Sequence, residues 1–168
     1  AVNGVDRSSF TRHDNLRLAG GKAPIALIAR PLAADGSNLP LVGRAQPGAG
    51  PTIWISEAML DLYGWRVGQQ VALPLAGKLV DLHVAGVWRD YARQTGAIMI
   101  DLADYRRLTG DRLVNDAAID LAPDADAGRV AAALTDLAGP GALEVARPGE
   151  IRALSLRIFD RTFAVTYL

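Results

Sequence analysis

Cysteine is absent from the sequence. That excludes a disulfide scaffold, a thiolate metal site and a cysteine nucleophile, and it fits reducing and oxidising compartments equally. Histidine is scarce: His13 and His83 stand far apart, and such a pair makes no histidine-rich zinc site without carboxylate help. Charge of one sign is lacking too. Lys and Arg number 18 against 18 Asp and Glu, so the whole-chain charge predicts neither nucleic acid nor an acidic surface as partner. No apolar run reaches the roughly 18 residues that could span a bilayer, and no basic-then-apolar leader opens the chain. If the protein works outside the cytoplasm, something beyond these residues is expected to target it.

The usual chemical signatures are missing as well. Lys22 follows Gly20-Gly21 but precedes Ala23, which is no P-loop, so any ATP that drives this protein is expected to be hydrolysed by another chain. The run Gly48-Ala49-Gly50 is closed by Pro51, which spoils a dinucleotide loop. Neither a His-Glu-x-x-His pair nor a Gly-x-Ser-x-Gly elbow occurs.

What is present is a chain of 168 residues, half of them apolar. That length suffices for one domain or two small subdomains and buries roughly 70% of the unfolded surface. Strands are expected in "VDRSSFTRHDNLRL" and "PIALIARPL", divided by Gly20-Gly21. The Gly- and Pro-rich stretch "AADGSNLPLVGRAQPGAGP" then reads as a connection between subdomains.

A compact series follows. "TIWIS" is expected as a strand, Ser56 as an N-cap, and "EAMLDLY" as a short helix closed by Gly64. "VGQQVALPL" and "KLVDLHVAGVWRD" form two strands around Ala76-Gly77. In the second, Leu79, Asp81, His83 and Ala85 alternate with Val80, Leu82, Val84 and Gly86, the period of a strand with one wet face. "AIMID" is a further strand and "LADYRRL" a further short helix, stopped by Thr109-Gly110. Beyond residue 113, "NDAAIDLAP" reads as a strand and Asp124 or Asp126 as the cap of a helix with Val130, Leu134 and Leu137 on one face. Gly139-Pro140-Gly141 and the strand "ALEVA" complete a β-α-β unit.

The polar candidates have ordinary explanations. His13 sits beside Asp14, so a triad with Ser8, Ser9 or Ser56 is conceivable only if the fold brings those groups together; an exposed strand histidine is the plainer reading, and the same holds for His83. Asp101, Asp104, Asp111 and Asp116 lie near helix ends, where capping accounts for them. "VWRDYARQTGAIMID" gathers Trp88, Arg89, Tyr91 and Arg93, residue types enriched in protein interfaces. These four make a candidate interface, with packing of Trp88 and Tyr91 on the sheet as the alternative.

The end of the chain, "GEIRALSLRIFDRTFAVTYL", has helical periodicity with two stripes: Ile151, Leu154, Ile158 and Val165 on one, and Leu156, Phe159, Phe163 and Tyr167 on another. Charges stop at Arg161. A helix rising from a domain into lipid has this form, and so does a buried terminal core helix.

The stretches "IWISEAMLDLYGWRVGQQVALP", "VAGVWRDYARQTGAIMIDLADYRRLTGD" and "RIFDRTFAVTYL" resemble the extracytoplasmic, periplasmic core domain of MacB/FtsX-type ABC transporter permeases, a superfamily that includes the lipoprotein-releasing permeases. The likeness is strongest to large permeases carrying two such domains, and it runs from about Pro51 to Leu168, with support from "NGVDRSSF" and "IALIARPL". It implies an α+β fold: a porter-like split β-α-β subdomain (residues 1–49 and 111–150) with an inserted strand-rich subdomain carrying two short helices (50–110), and a stalk helix (151–168). It further implies that transmembrane helices normally flank the chain and that the first strand and helix of the porter-like part precede it.

The resemblance implies a domain with no enzymatic activity and no cofactor in this chain, on the periplasmic or extracellular side of the inner membrane. A separate cytoplasmic ATPase subunit would bind ATP and Mg, and a second permease copy or homologous half, an accessory protein or a lipoprotein would be further partners. Coupling would run through Ile151, Leu154, Ile158, Phe159, Phe163 and Tyr167, toward export or release of a lipoprotein, lipid or small molecule. The competing expectation is a soluble interaction module that uses the Trp88 to Arg93 region, with Phe159, Phe163 and Tyr167 buried in the domain. A periplasmic hydrolase built on Ser56 or Ser8/Ser9 is the third.

Overall fold

The computed structural model describes residues 2–18, 20 and 23–146. In chain order its elements are β1 (Val5–Leu16), β2 (Ile25–Arg30), β3 (Leu41–Val42), β4 (Thr52–Ser56), α1 (Glu57–Tyr63), β5 (Gln70–Leu75), β6 (Lys78–Trp88), β7 (Ala97–Asp101), α2 (Leu102–Thr109), β8 (Asp116–Leu121) and α3 (Ala127–Ala138). The strands join in the order β3-β6-β4-β7-β2-β1-β8, with β5 on β6. The fold is α+β, as the sequence led one to expect. Two compact units divide the described residues: Ser8–Ala118, and residues 2–7 with 119–146.

In the larger unit the centre of the sheet is mixed. β7 runs parallel to β2 and antiparallel to β4, while β4 runs parallel to β6. These strands are near-continuous Ile, Leu, Val, Met and Ala because both faces are covered. On one face Leu27, Ile53, Ile55, Leu82, Val84, Ile98 and Ile100 pack with Met59 of α1, Leu73 of β5, and Leu102 and Tyr105 of α2. On the other, Ile28, Trp54, Ala85, Trp88, Ala97 and Met99 pack with Leu39 and the partly buried Leu32, Leu41 and Ala45. The period-2 alternation of each strand thus feeds two cores.

The Gly- and Pro-rich stretch after β2 is therefore the cover of that second face, and it carries β3. Its turn at Gly36 has φ 71°, and a Cβ there would lie 2.4 Å from the Trp54 ring, so the indole sits where any other side chain would begin. The cover also corrects the expectation for β6. Lys78, Leu79 and Asp81 are exposed, but from Val84 to Trp88 every residue is buried, so the wet face ends near His83.

Local signals placed the helices and the hairpin. Gly64 and Gly110 take left-handed conformations and donate to Leu60 O and Arg106 O, closing α1 and α2. Ala76 (φ 48°) and Gly77 (φ 76°) form the tight turn between β5 and β6. Asp101 caps α2 by accepting from the amides of Ala103 and Asp104. Ser56 holds the N-cap position of α1 but makes no side-chain cap; its Oγ accepts from the Ala97 amide at 2.9 Å inside the core.

In the smaller unit, the beginning of β1 and the end of β8 are tied by the bond from Ala122 N to Gly4 O (3.0 Å) and by the Arg7–Asp120 pair (2.9 Å). Asp126 is the cap of α3, accepting from Arg129 N. Val130 is buried; a Cβ on Gly4 would come within 3.0 Å of its Cγ2. The expected strand at 142–146 does not form, so the described residues show β-α and not β-α-β here. Leu143 and Val145 are exposed in that stretch. Among the described residues no helix is long and apolar enough to cross a membrane.

Candidate functional site

The loop that follows β6 holds the candidate interface residues, and the structure splits them. Trp88 closes β6 and is 5% exposed, with its Nε1 buried and without a hydrogen-bond partner among the described residues. Tyr91, three positions on, is 86% exposed. The loop between is held in shape by its own side chains: Asp90 Oδ1 accepts from Ala92 N at 2.9 Å, and Asp90 Oδ2 accepts from Arg93 at 3.4 Å. Arg89 donates from its backbone to Pro40 O at 3.0 Å and from Nε to Glu57 Oε2 at 3.3 Å. Hydrogen bonding to Tyr91, and then to Glu57, holds the Arg89 guanidinium above its ordinary pKa. Arg89, Tyr91 and Arg93 therefore share one turn-stabilised projection, each cation beside a carboxylate, and Trp88 belongs to the core beneath them.

A second polar cluster joins β1 to the segment after α2. Arg12 donates from Nε to Asp111 Oδ2 at 2.8 Å and from NH1 to Asn115 Oδ1 at 3.0 Å. Tyr105 donates to the same Asp111 oxygen at 3.1 Å, and Asp111 Oδ1 accepts from Leu113 N. The Arg12 hydrogen bond, followed by the Leu113 amide, holds the Asp111 carboxyl below the usual carboxylate range. Arg12 is shifted upward by the same bond, and burial with Asp111 nearby raises the Tyr105 hydroxyl. Donors and acceptors here satisfy one another, which is the arrangement of a clamp. No short-range sequence signal could have found it, because Arg12 and Asp111 are 99 residues apart.

The remaining candidates resolve individually. His13 Nε2 lies 2.9 Å from Asp116, not from the adjacent Asp14, whose carboxylate accepts from Asn15 N. Ser56 is fully buried and engaged with Ala97, so it is not available as a nucleophile. His83 Nε2 donates to Gln46 O at 2.7 Å, since a carbonyl can only accept, and its ring lies against Gly48. Asp101 also accepts from Leu32 N, and Asp104 pairs with Arg107. Among the described residues no group of three or more His, Asp or Glu is placed to hold a metal ion. Ile151, Leu154, Ile158, Phe159, Phe163 and Tyr167 lie outside the described residues.

With this order of strands and covers established, comparison with solved structures is decisive for the fold. The chain matches the extracellular domain of the ABC-type transporter YknZ from Gram-positive bacteria with TM-score 0.53 and 14% identity, over 79% of this chain and 72% of that one. It matches the periplasmic region of MacB from Actinobacillus actinomycetemcomitans with TM-score 0.54 and 13% identity, over 80% of this chain and 66% of that one. The fold is that of a MacB-type extracytoplasmic domain. No family model and no curated protein sequence matches the chain. The chain thus spans about two thirds of the MacB periplasmic region.

Proposed function

We propose that this chain is the extracytoplasmic domain of an ABC transporter permease subunit, on the periplasmic or extracellular side of the membrane. The observation that carries this reading is the fold, since the two solved structures compared above are extracytoplasmic parts of ABC-type transporters. In this reading a separate cytoplasmic ATPase subunit binds ATP and magnesium. The domain couples hydrolysis there to export or release of a lipoprotein, lipid or small molecule by changing conformation, alongside a second permease copy or homologous half. Such coupling needs a rigid connector and two states with different contacts, and it asks for no catalytic residue. Residues 151–168 are the connector, and the exposed projection with Arg89, Tyr91 and Arg93 is the surface offered to an accessory protein or lipoprotein.

Amide hydrogen exchange across residues 151–168 tests the connector. Fast exchange from Asp160 onward, with the preceding turns protected, is the expected result. Slow exchange through Tyr167 overturns the reading in favour of a self-contained interaction module.

A further inference from the structure

Residues 110–116, which lead from α2 into β8, are held by polar groups. Among the described residues neither core includes any of them, and Leu113 (69%) and Val114 (42%) are exposed. Their attachments converge on Thr11, Arg12 and His13 of β1 and on the end of α2. Asp111 accepts from Arg12 Nε at 2.8 Å and from the Tyr105 hydroxyl at 3.1 Å, and its own amide donates to Thr109 Oγ1 at 3.1 Å. Asn115 Oδ1 accepts from the Arg12 guanidinium at 3.0 Å and from His13 N at 2.7 Å. The Asn115 amide donates to Thr11 O at 2.8 Å, and Asp116 lies 2.9 Å from His13 Nε2.

One half of this contact is fixed. Arg12 and His13 pair with Ala29 and Ile28 of β2, and Tyr105 is buried in the first core. The other half is not fixed in that way. Water can replace a polar bond at little net cost, whereas opening a core exposes apolar surface, so the segment parts from β1 more readily than either core opens.

We propose that residues 110–116 form a releasable strap, latched to β1 through Arg12 and Asp111, and that this strap is the two-state element of the domain. Closed, it covers the Arg12 guanidinium and the Thr11 carbonyl. Released, it leaves both free for another polypeptide, with Asp14 at 4.0 Å as the nearest remaining carboxylate to Arg12, so the two states differ in contacts as coupling demands. The Arg12 and Asp111 side chains are 19% and 22% exposed, so salt reaches the pair and weakens it. The strap's purpose rests on the coupling reading; its geometry does not.

Amide exchange resolved by residue, on the whole chain, tests the strap. The Asn115 amide is the reporter, because its acceptor is the Thr11 carbonyl and not a group to be substituted. It is expected to exchange at least about a hundredfold faster than the Val84 amide, which donates to Gln69 O in the sheet. Its rate should not respond to low urea, the mark of an opening that exposes little surface. Asp111→Asn should speed Asn115 exchange about tenfold, and Leu113→Ser should leave it unchanged. Raising sodium chloride from about 0.05 to about 0.5 M should speed it in the native chain and much less in Asp111→Asn. Exchange of Asn115 with the rate and urea dependence of Val84 would mean that the segment opens only with the whole domain. A Leu113→Ser effect as large as that of Asp111→Asn would mean that apolar contact holds it. Either result overturns the strap, as does an Asn115 rate that Asp111→Asn leaves unchanged. The two readings fail separately. Fast Asn115 exchange with slow exchange through Tyr167 keeps the strap and removes the connector, and a fast end beyond Asp160 with Asn115 moving only with the core does the reverse.

Discussion

Arg12 on β1 and Asp111 beyond α2, 99 residues apart in sequence, meet at 2.8 Å, and the Tyr105 hydroxyl donates to the same carboxylate oxygen. The contact fixes the segment leading into β8 against β1 without any apolar packing of its own.

Replacing Asp111 by Asn is expected to lower stability at neutral pH, because Arg12 loses the nearer of its two charged partners, Asp14 being the other at 4.0 Å. The Asp111 carboxyl titrates below its ordinary value in the folded chain. A lowered folded pKa gives stability that is present above the unfolded pKa of about 4 and is lost as pH falls through the folded value. The stability gap between the native chain and Asp111→Asn should therefore be full at pH 7 and shrink below about pH 4. Urea midpoints measured across that range decide it; a gap independent of pH would show that the charge plays no part.

Trp88 and Tyr91 should part company in stability. Trp88→Ala empties a core position and is expected to cost about 3–5 kcal/mol, whereas Tyr91→Ala should stay within about 0.5 kcal/mol of the native chain. Chemical denaturation of the two variants is the check. A large loss with Tyr91→Ala would mean that the projection is held by its ring.

Ser56→Ala leaves the buried Ala97 amide without its acceptor. The expected cost is about 1–3 kcal/mol, the penalty of an unpaired buried donor. An N-cap role would instead predict fraying of α1 alone, which exchange of the Glu57–Tyr63 amides separates from a global loss.

Gly86→Ala should also destabilise, since its Cβ would fall 2.7 Å from Trp54 Cζ3 in the middle of the second core. Overpacking of this kind costs about 1–3 kcal/mol. A change in the near-ultraviolet dichroism of Trp54 should accompany the shift in the denaturation midpoint.

Much of the fold could be read from short stretches because its causes are short-range. Gly64 and Gly110 end helices through their own backbone conformation, and Ala76-Gly77 turns a hairpin within two residues. The apolar runs of β2, β4 and β7 announced strands. The candidate interface was legible as a composition and not as a surface: nothing in "VWRDYARQTG" tells which aromatic ring is inside, and the answer depends on the cover supplied by residues 32–45.

Where the reading failed, a distant partner had decided the matter. The second half of β6 is dry because Ala45, Leu41 and Leu39 lie near it, so a polar-apolar alternation that holds up to His83 stops holding there. Ser56 has the right type and place for a cap, but the Ala97 amide, brought alongside by β7, competes for its oxygen and wins. The stretch "ALEVA" reads locally as a strand but takes no strand conformation in the structure.

The sequence by itself determined where the chain turns, which residues are apolar enough to be inside, and that no cysteine chemistry is available, since each of these follows from a residue and its near neighbours. Only the tertiary structure decided which face of each strand is covered, that Arg12 belongs to Asp111 and His13 to Asp116, and that Tyr91 is presented while Trp88 is not. Those outcomes depend on contacts between segments distant in the chain, where burial and pairing energies outweigh local preference.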